Sequence, residues 1–118
     1  MIAHIVLFNP KPGLTRSDLL AFGLAMTDAF GAIPDVKKAS IGRRVGVDLG
    51  YERSLGDSAY EYSAVIEFED EAGLIRYLRH PLHQRLGSLF WENCNSSVIS
   101  EVEFVDGRDR DAVMLLVK

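Results

Sequence analysis

The stretch IAHIVLF, Ile2 to Phe8, carries apolar side chains on both faces of one short strand. Alternation puts Ile2, His4, Val6 and Phe8 on one face and Ala3, Ile5 and Leu7 on the other. A strand of this kind needs cover on both sides, which rules out a simple exposed hairpin. Pro10, Pro12 and Gly13 end it.

The next segment has a different period. In TRSDLLAFGLAMTDAF, Thr15 and Asp18 have the spacing of a capping box. Leu19, Phe22, Met26 and Phe30 then fall on one helical face, and Gly31 and Pro34 close the helix. The Met and Phe stripe reads as core. VKKASIGRRVGV is a weaker strand whose glycines allow a bend, and DLGYERSLGDS is a polar loop. YEYSAVIEF alternates again, with Tyr60, Tyr62, Ala64, Ile66 and Phe68 sharing one face.

Asp70 offers an N-cap for a helix through Leu74, Tyr77 and Leu78. Pro81 must interrupt that helix. It disfavours the α conformation at His80 and suits the first turn of a new helix. A second helix runs on through Leu82, Leu86, Leu89 and Phe90, with Trp91 expected to pack near its end. SVISEVEFV is the last strand, DGRDRD a charged loop and AVMLLV an apolar tail at about residues 111–118.

The resulting order is β-α-β-β-α-β, an α+β ferredoxin-like arrangement over a single domain, residues 1–118. Its sheet has helices on one face only. The second apolar face of the first strand and the apolar tail then call for a second copy, so a homodimer pairing sheet to sheet is expected.

Composition narrows the function classes. The formal net charge of −4 leaves no basic surplus for nucleic acid. The lone Cys94 forbids an intrachain disulfide and fits a reducing, cytoplasmic setting. The apolar run at the start is too short to span a membrane and lacks the basic flank of a signal peptide.

The chemistry-bearing stretch is YLRHPLHQRL, Tyr77 to Leu86. A metal reading of His80 and His83 fails because Pro81 breaks the helix between them and no clear third and fourth ligand accompanies them. His83 suits a general base: an imidazole titrates near ~6.5, and partial burial keeps it neutral. Tyr77 can donate a hydrogen bond to a developing enolate. The same two side chains can also simply cap helix ends and pack on Leu74 and Leu78. His4 shares its face with Val6 and Phe8 and points into buried space. There it is either a satisfied core histidine or a pocket wall.

HIVLF (His4 to Phe8), IP.V (Ile33 to Val36) and F.D...L..YL.HP.H (Phe68 to His83) together resemble the stress-responsive dimeric α/β-barrel (Dabb) family. The resemblance spans most of the chain. It implies a ferredoxin-like protomer, a homodimeric α/β barrel and a small-molecule pocket between sheet and helices. A plant polyketide cyclase of that family, olivetolic acid cyclase, performs an intramolecular aldol closure with no metal or organic cofactor. By its motif, His83 is the implied catalytic base, Tyr77 its partner, and His4, Met26 and His80 the implied pocket residues. That enzyme's second pocket tyrosine has no counterpart, and Met26 stands near its place. The expectation is thus a stress-associated pocket protein with an apolar small-molecule ligand and no cofactor. A cofactor-free cyclase is the alternative, and a cofactor-free monooxygenase on a related barrel a further one.

Overall fold

The computed structural model describes residues 1–47 and 59–117, so the polar loop DLGYERSLGDS lies outside the described residues. The elements run β1 (Ile2–Pro10), α1 (Arg16–Ala32), β2 (Lys38–Arg43), β3 (Tyr62–Phe68), α2 (Glu71–Arg79), α3 (Pro81–Asn93) and β4 (Cys94–Glu103), then a 3-10 turn (Arg110–Leu115). The four strands form one antiparallel sheet in the order β2-β3-β1-β4, the ferredoxin-like arrangement.

β1 is hydrogen-bonded along both edges, to β3 and to β4. Its pleat therefore sets the phase of the whole sheet. His4 pairs with Ile66 on one side and Glu101 on the other; Phe8 pairs with Tyr62 and Ser97. These residues share the face that the helices cover. The opposite face carries Ala3, Ile5, Leu7, Val65, Val98 and Val102, by the same register. No helix of the described residues lies over it, and Leu7 and Val98 stay 36% and 46% exposed.

The helical layer is built by local chemistry. Thr15 accepts from the Asp18 N–H at 3.1 Å, and Asp18 accepts in return from the Thr15 N–H at 3.0 Å. This capping box satisfies two donors that a helix start leaves free, and it holds the Asp18 carboxyl below its ordinary range. Asp70 caps α2 through the Gly73 N–H. Asp35, in the connection after α1, bonds Arg76 of α2 and tethers the two helices.

The core is one cluster between sheet and helices, with Ile66, Phe68 and Tyr77 almost fully sealed. α1 contributes Phe22, Ala25, Met26 and Ala29. Leu19, expected on that buried face, is 44% exposed. It lies at the first turn, where small Ala25 and Ala29 further along set the contact line instead. Trp91, expected to pack, is 71% exposed. It comes after Phe90, which takes the inward position and leaves the indole at the rim.

These placements separate in stability. Truncating Phe68→Ala should cost about 3–5 kcal/mol. Leu19→Ala should stay within about 0.5 kcal/mol. Urea unfolding of both variants checks the pair, and a large loss at Leu19 would contradict the packing described.

Candidate functional site

The site begins at the helix break. His80 has ψ 140°, outside the helical region, as the following proline requires. It closes α2 by donating its N–H to the Tyr77 carbonyl at 3.1 Å. It opens α3 by accepting the Leu82 N–H on its ring Nδ1 at 3.1 Å. The ring is therefore occupied as a cap. His80 does not line the cavity, which corrects its expected place among the pocket residues. Its neighbour Pro81 fixes it at the corner, facing the new helix start.

The break has a second consequence. The last carbonyls of α2 lose their intrahelical partners. One of them, Leu78, is met by His83 Nδ1 at 3.1 Å, from the first turn of α3. A carbonyl only accepts, so Nδ1 carries the proton and Nε2 of the neutral ring keeps its lone pair. Burial, with a smaller contribution from His4, holds the His83 imidazole below its ordinary range against the opposing Leu78 bond.

Tyr77 is 1% exposed and packs near His83 with ring centroids 4.6 Å apart. Phe68 holds its other side at 5.0 Å. Burial pushes its phenol well above the ordinary tyrosine range, so it remains a neutral donor. His4, from the middle of β1, is 6% exposed and completes the cluster, 6.0 Å from the Tyr77 ring and 6.3 Å from the His83 ring.

These three residues sit at the polar end of a cavity of about 280 Å³. That is the small end of ligand-site volumes. Phe8, Phe22, Met26, Phe30 and Phe90 supply its apolar wall. Gly87 contributes no side chain, and a Cβ there would meet nothing within 4 Å, so the space beside α3 stays open. Trp91 and Ile99, both exposed, stand at the rim.

Sequence reasoning missed Glu101. It lies directly opposite His4 in the β1–β4 register, and its carboxylate accepts from His4 Nδ1 at 2.5 Å. The signal was the alternation in SVISEVEFV, which places Glu101 on the helix face beside Ile99. Without the strand pairing, nothing tied it to His4. Cys94 lies outside this cavity, and burial pushes its thiol up to about 11, so it stays protonated and unreactive. Among the described residues, no three His, Cys, Asp or Glu side chains are grouped to hold a metal ion. No helix of the described residues is long and apolar enough to cross a membrane.

Comparison with known proteins meets this geometry from outside. Residues 2–104 match the family model described as the stress responsive A/B barrel domain (Dabb). The uncharacterized protein SCO4036 of Streptomyces coelicolor is 31% identical over 108 residues, 88% of this chain and 100% of that protein. Among solved structures, a dimeric ferredoxin-like protein of unknown function from Thermobifida fusca superposes with TM-score 0.69 at 22% identity, covering 87% of this chain and 90% of its own. The hydroxynitrile lyase of Passiflora edulis superposes with TM-score 0.73 at 16% identity, covering 89% and 94%. At those identities the structural likenesses establish the fold.

The depressed His83 imidazole has a signed consequence. Between its lowered folded value and the ordinary ~6.5, the unfolded chain binds more protons than the folded one. The stability from this group is whole above that window and is lost as pH falls through it. NMR titration should place the His83 midpoint below that of a model imidazole. The acid-side fall in unfolding free energy should shrink in His83→Gln. A midpoint at or above the model value would refute the burial argument.

Proposed function

This chain belongs to the stress-responsive A/B barrel (Dabb) family, and from that membership we propose that it works as a homodimer whose cavities bind a small, largely apolar, oxygen-bearing molecule, with His83 as a cofactor-free base. The observation that carries the proposal is the His83–Leu78 hydrogen bond. It commits the ring to the tautomer with Nε2 unprotonated, and a depressed imidazole beside an apolar cavity is ready to take a proton near neutral pH.

The reaction this arrangement suits is proton abstraction from a carbon next to a carbonyl. The C–H bond breaks, its proton joins His83 Nε2, and the electron pair moves onto the carbonyl oxygen as an enolate. The Tyr77 hydroxyl, making no hydrogen bond among the described residues, donates to that oxygen. The surrounding aromatic wall keeps the dielectric low, which strengthens that donation. In the polyketide-cyclase reading, the enolate carbon then attacks a second carbonyl of the same molecule, and the new alkoxide takes the proton back from His83. The Passiflora lyase supports the reading only in that a protein of this fold is named for an enzyme.

The dimer rests on the uncovered sheet face. Ile5, Leu7, Val65, Val98 and Val102 form an apolar surface on strands whose other face is sealed. Surfaces of this sort mark protein contacts, and the Thermobifida relative is dimeric. Light scattering at micromolar concentration should return about twice the 13.1 kDa chain mass. Leu7→Glu, placing a charge on that face, should shift the chain toward monomer. A monomeric wild-type protein would end the barrel reading.

For the chemistry, acetophenone in heavy water serves as probe, with deuterium entry into its methyl group followed by NMR. The wild-type protein should accelerate exchange, and His83→Ala should abolish the acceleration with the fold intact. Tyr77→Phe should lower it by roughly tenfold to a hundredfold. His80→Ala should leave the exchange rate nearly unchanged while costing about 1 kcal/mol of stability through its lost cap. Equal exchange rates in wild type and His83→Ala would remove His83 from the role of base.

A further inference from the structure

At the polar end of the cavity His4 and Glu101 form a pair of their own, and the base chemistry of His83 leaves it without work. His4 is almost fully buried. An ionised carboxylate only accepts hydrogen bonds, so the 2.5 Å contact makes His4 Nδ1 the donor and leaves Nε2 unprotonated on a ring that lines the cavity. Glu101 itself is 42% exposed at its side chain. It lines two spaces at once: the inner cavity, and an outer cleft shared with Glu71, Leu74 and Glu103. One carboxylate thus touches a buried imidazole on one side and a cleft open to water on the other.

We propose that Glu101 is a positioning residue that makes His4 a second proton acceptor, serving a hydroxyl group of the guest. This rests on the cavity being the guest site and adds to it a class of guest, a phenol or enol. The O–H bond of the guest breaks and the proton joins His4 Nε2. The electron pair stays on the guest oxygen, and the imidazolium formed is balanced by the Glu101 carboxylate across Nδ1–H. Charge-assisted hydrogen bonds of this kind are stronger than neutral ones. His83, whose Nδ1 partner is an uncharged carbonyl, receives no such balance for its own imidazolium. The two histidines therefore divide the labour: His4 takes a proton from oxygen, and His83 takes one from carbon.

The titratable groups around His4 are Tyr77 from α2, His83 from α3 and Glu101 from β4, with Glu71 and Glu103 across the outer cleft. On β3 its neighbour is the apolar Ile66. Glu101 is the carboxylate in hydrogen-bond contact with His4, so it can be tested alone.

The probe is 4-nitrophenol, whose bound phenolate is read by its absorption, together with the Nδ1 proton of His4 read by long-range nitrogen NMR. Wild-type protein should bind the probe and raise its ionised fraction over that in buffer at the same pH. Glu101→Gln should lower the bound ionisation constant on the order of tenfold, equivalent to one pKa unit, and should release His4 from its single tautomer. Glu101→Asp should restore part of both signals. Leu19→Ala, on the exposed side of α1 and outside the cavity, should leave both in place. Unchanged ionisation in Glu101→Gln would overturn the positioning role even where His83→Ala abolishes acetophenone exchange. Failure of the wild-type protein to bind 4-nitrophenol would overturn the phenol class.

Discussion

The pairing of β1 along both of its edges is the constraint on which the rest of the molecule depends. A strand with hydrogen bonds on both sides cannot slip register without turning every side chain to the opposite face. His4, Val6 and Phe8 are thereby committed to the helix side, and Ala3, Ile5 and Leu7 to the other. The same register brings Glu101 opposite His4 and Ile66 beside it. The polar end of the cavity is thus assembled partly by backbone pairing across a distance of 97 positions in the chain.

Pro81 supplies the second constraint, and its effect is chemical as well as geometric. A continuous helix would have consumed the Leu78 carbonyl in its own ladder. The break frees that carbonyl and turns α3 so that His83 can reach it. His80 takes up the new helix start with its ring. One proline therefore assigns different work to two histidines three residues apart: one becomes a cap, and the other becomes an imidazole of fixed tautomer at the wall of a cavity.

Much of this was legible in the chain. The β-branched and aromatic run IAHIVLF and the alternation in YEYSAVIEF carried the strands, and Thr15, Asp70 and Pro81 punctuated the helices at the places where they begin. Tyr77, His83, His4 and Met26 all line the cavity. The failures share a physical cause. Leu19 and Trp91 satisfy a local pattern, yet their burial depends on which neighbour takes the contact, here Ala25 and Ala29 for one and Phe90 for the other. His80 shares a motif with His83, but the cap bond that decides its direction is a property of backbone angles. Glu101 could be found only through the β1–β4 register, which a single strand's pattern does not contain.

The two faces of the sheet carry separate tasks because side chains alternate with a period of two. Substitutions at Ile5, Leu7 or Val98 act on the open face and leave the cavity wall in place; those at His4, Ile66 or Glu101 do the reverse. The tasks still share a backbone. β1 and β4 each hold one member of the His4–Glu101 pair, and β4 lies at the edge of the sheet, with a partner on one side only. An edge strand is held by fewer bonds than a central one and opens more readily. In the proposed dimer, a second sheet over Val98 and Val102 would clamp β4 from its open face. That clamp would keep Glu101 in line with His4, so assembly would contribute to the proposed chemistry without lending a side chain to it.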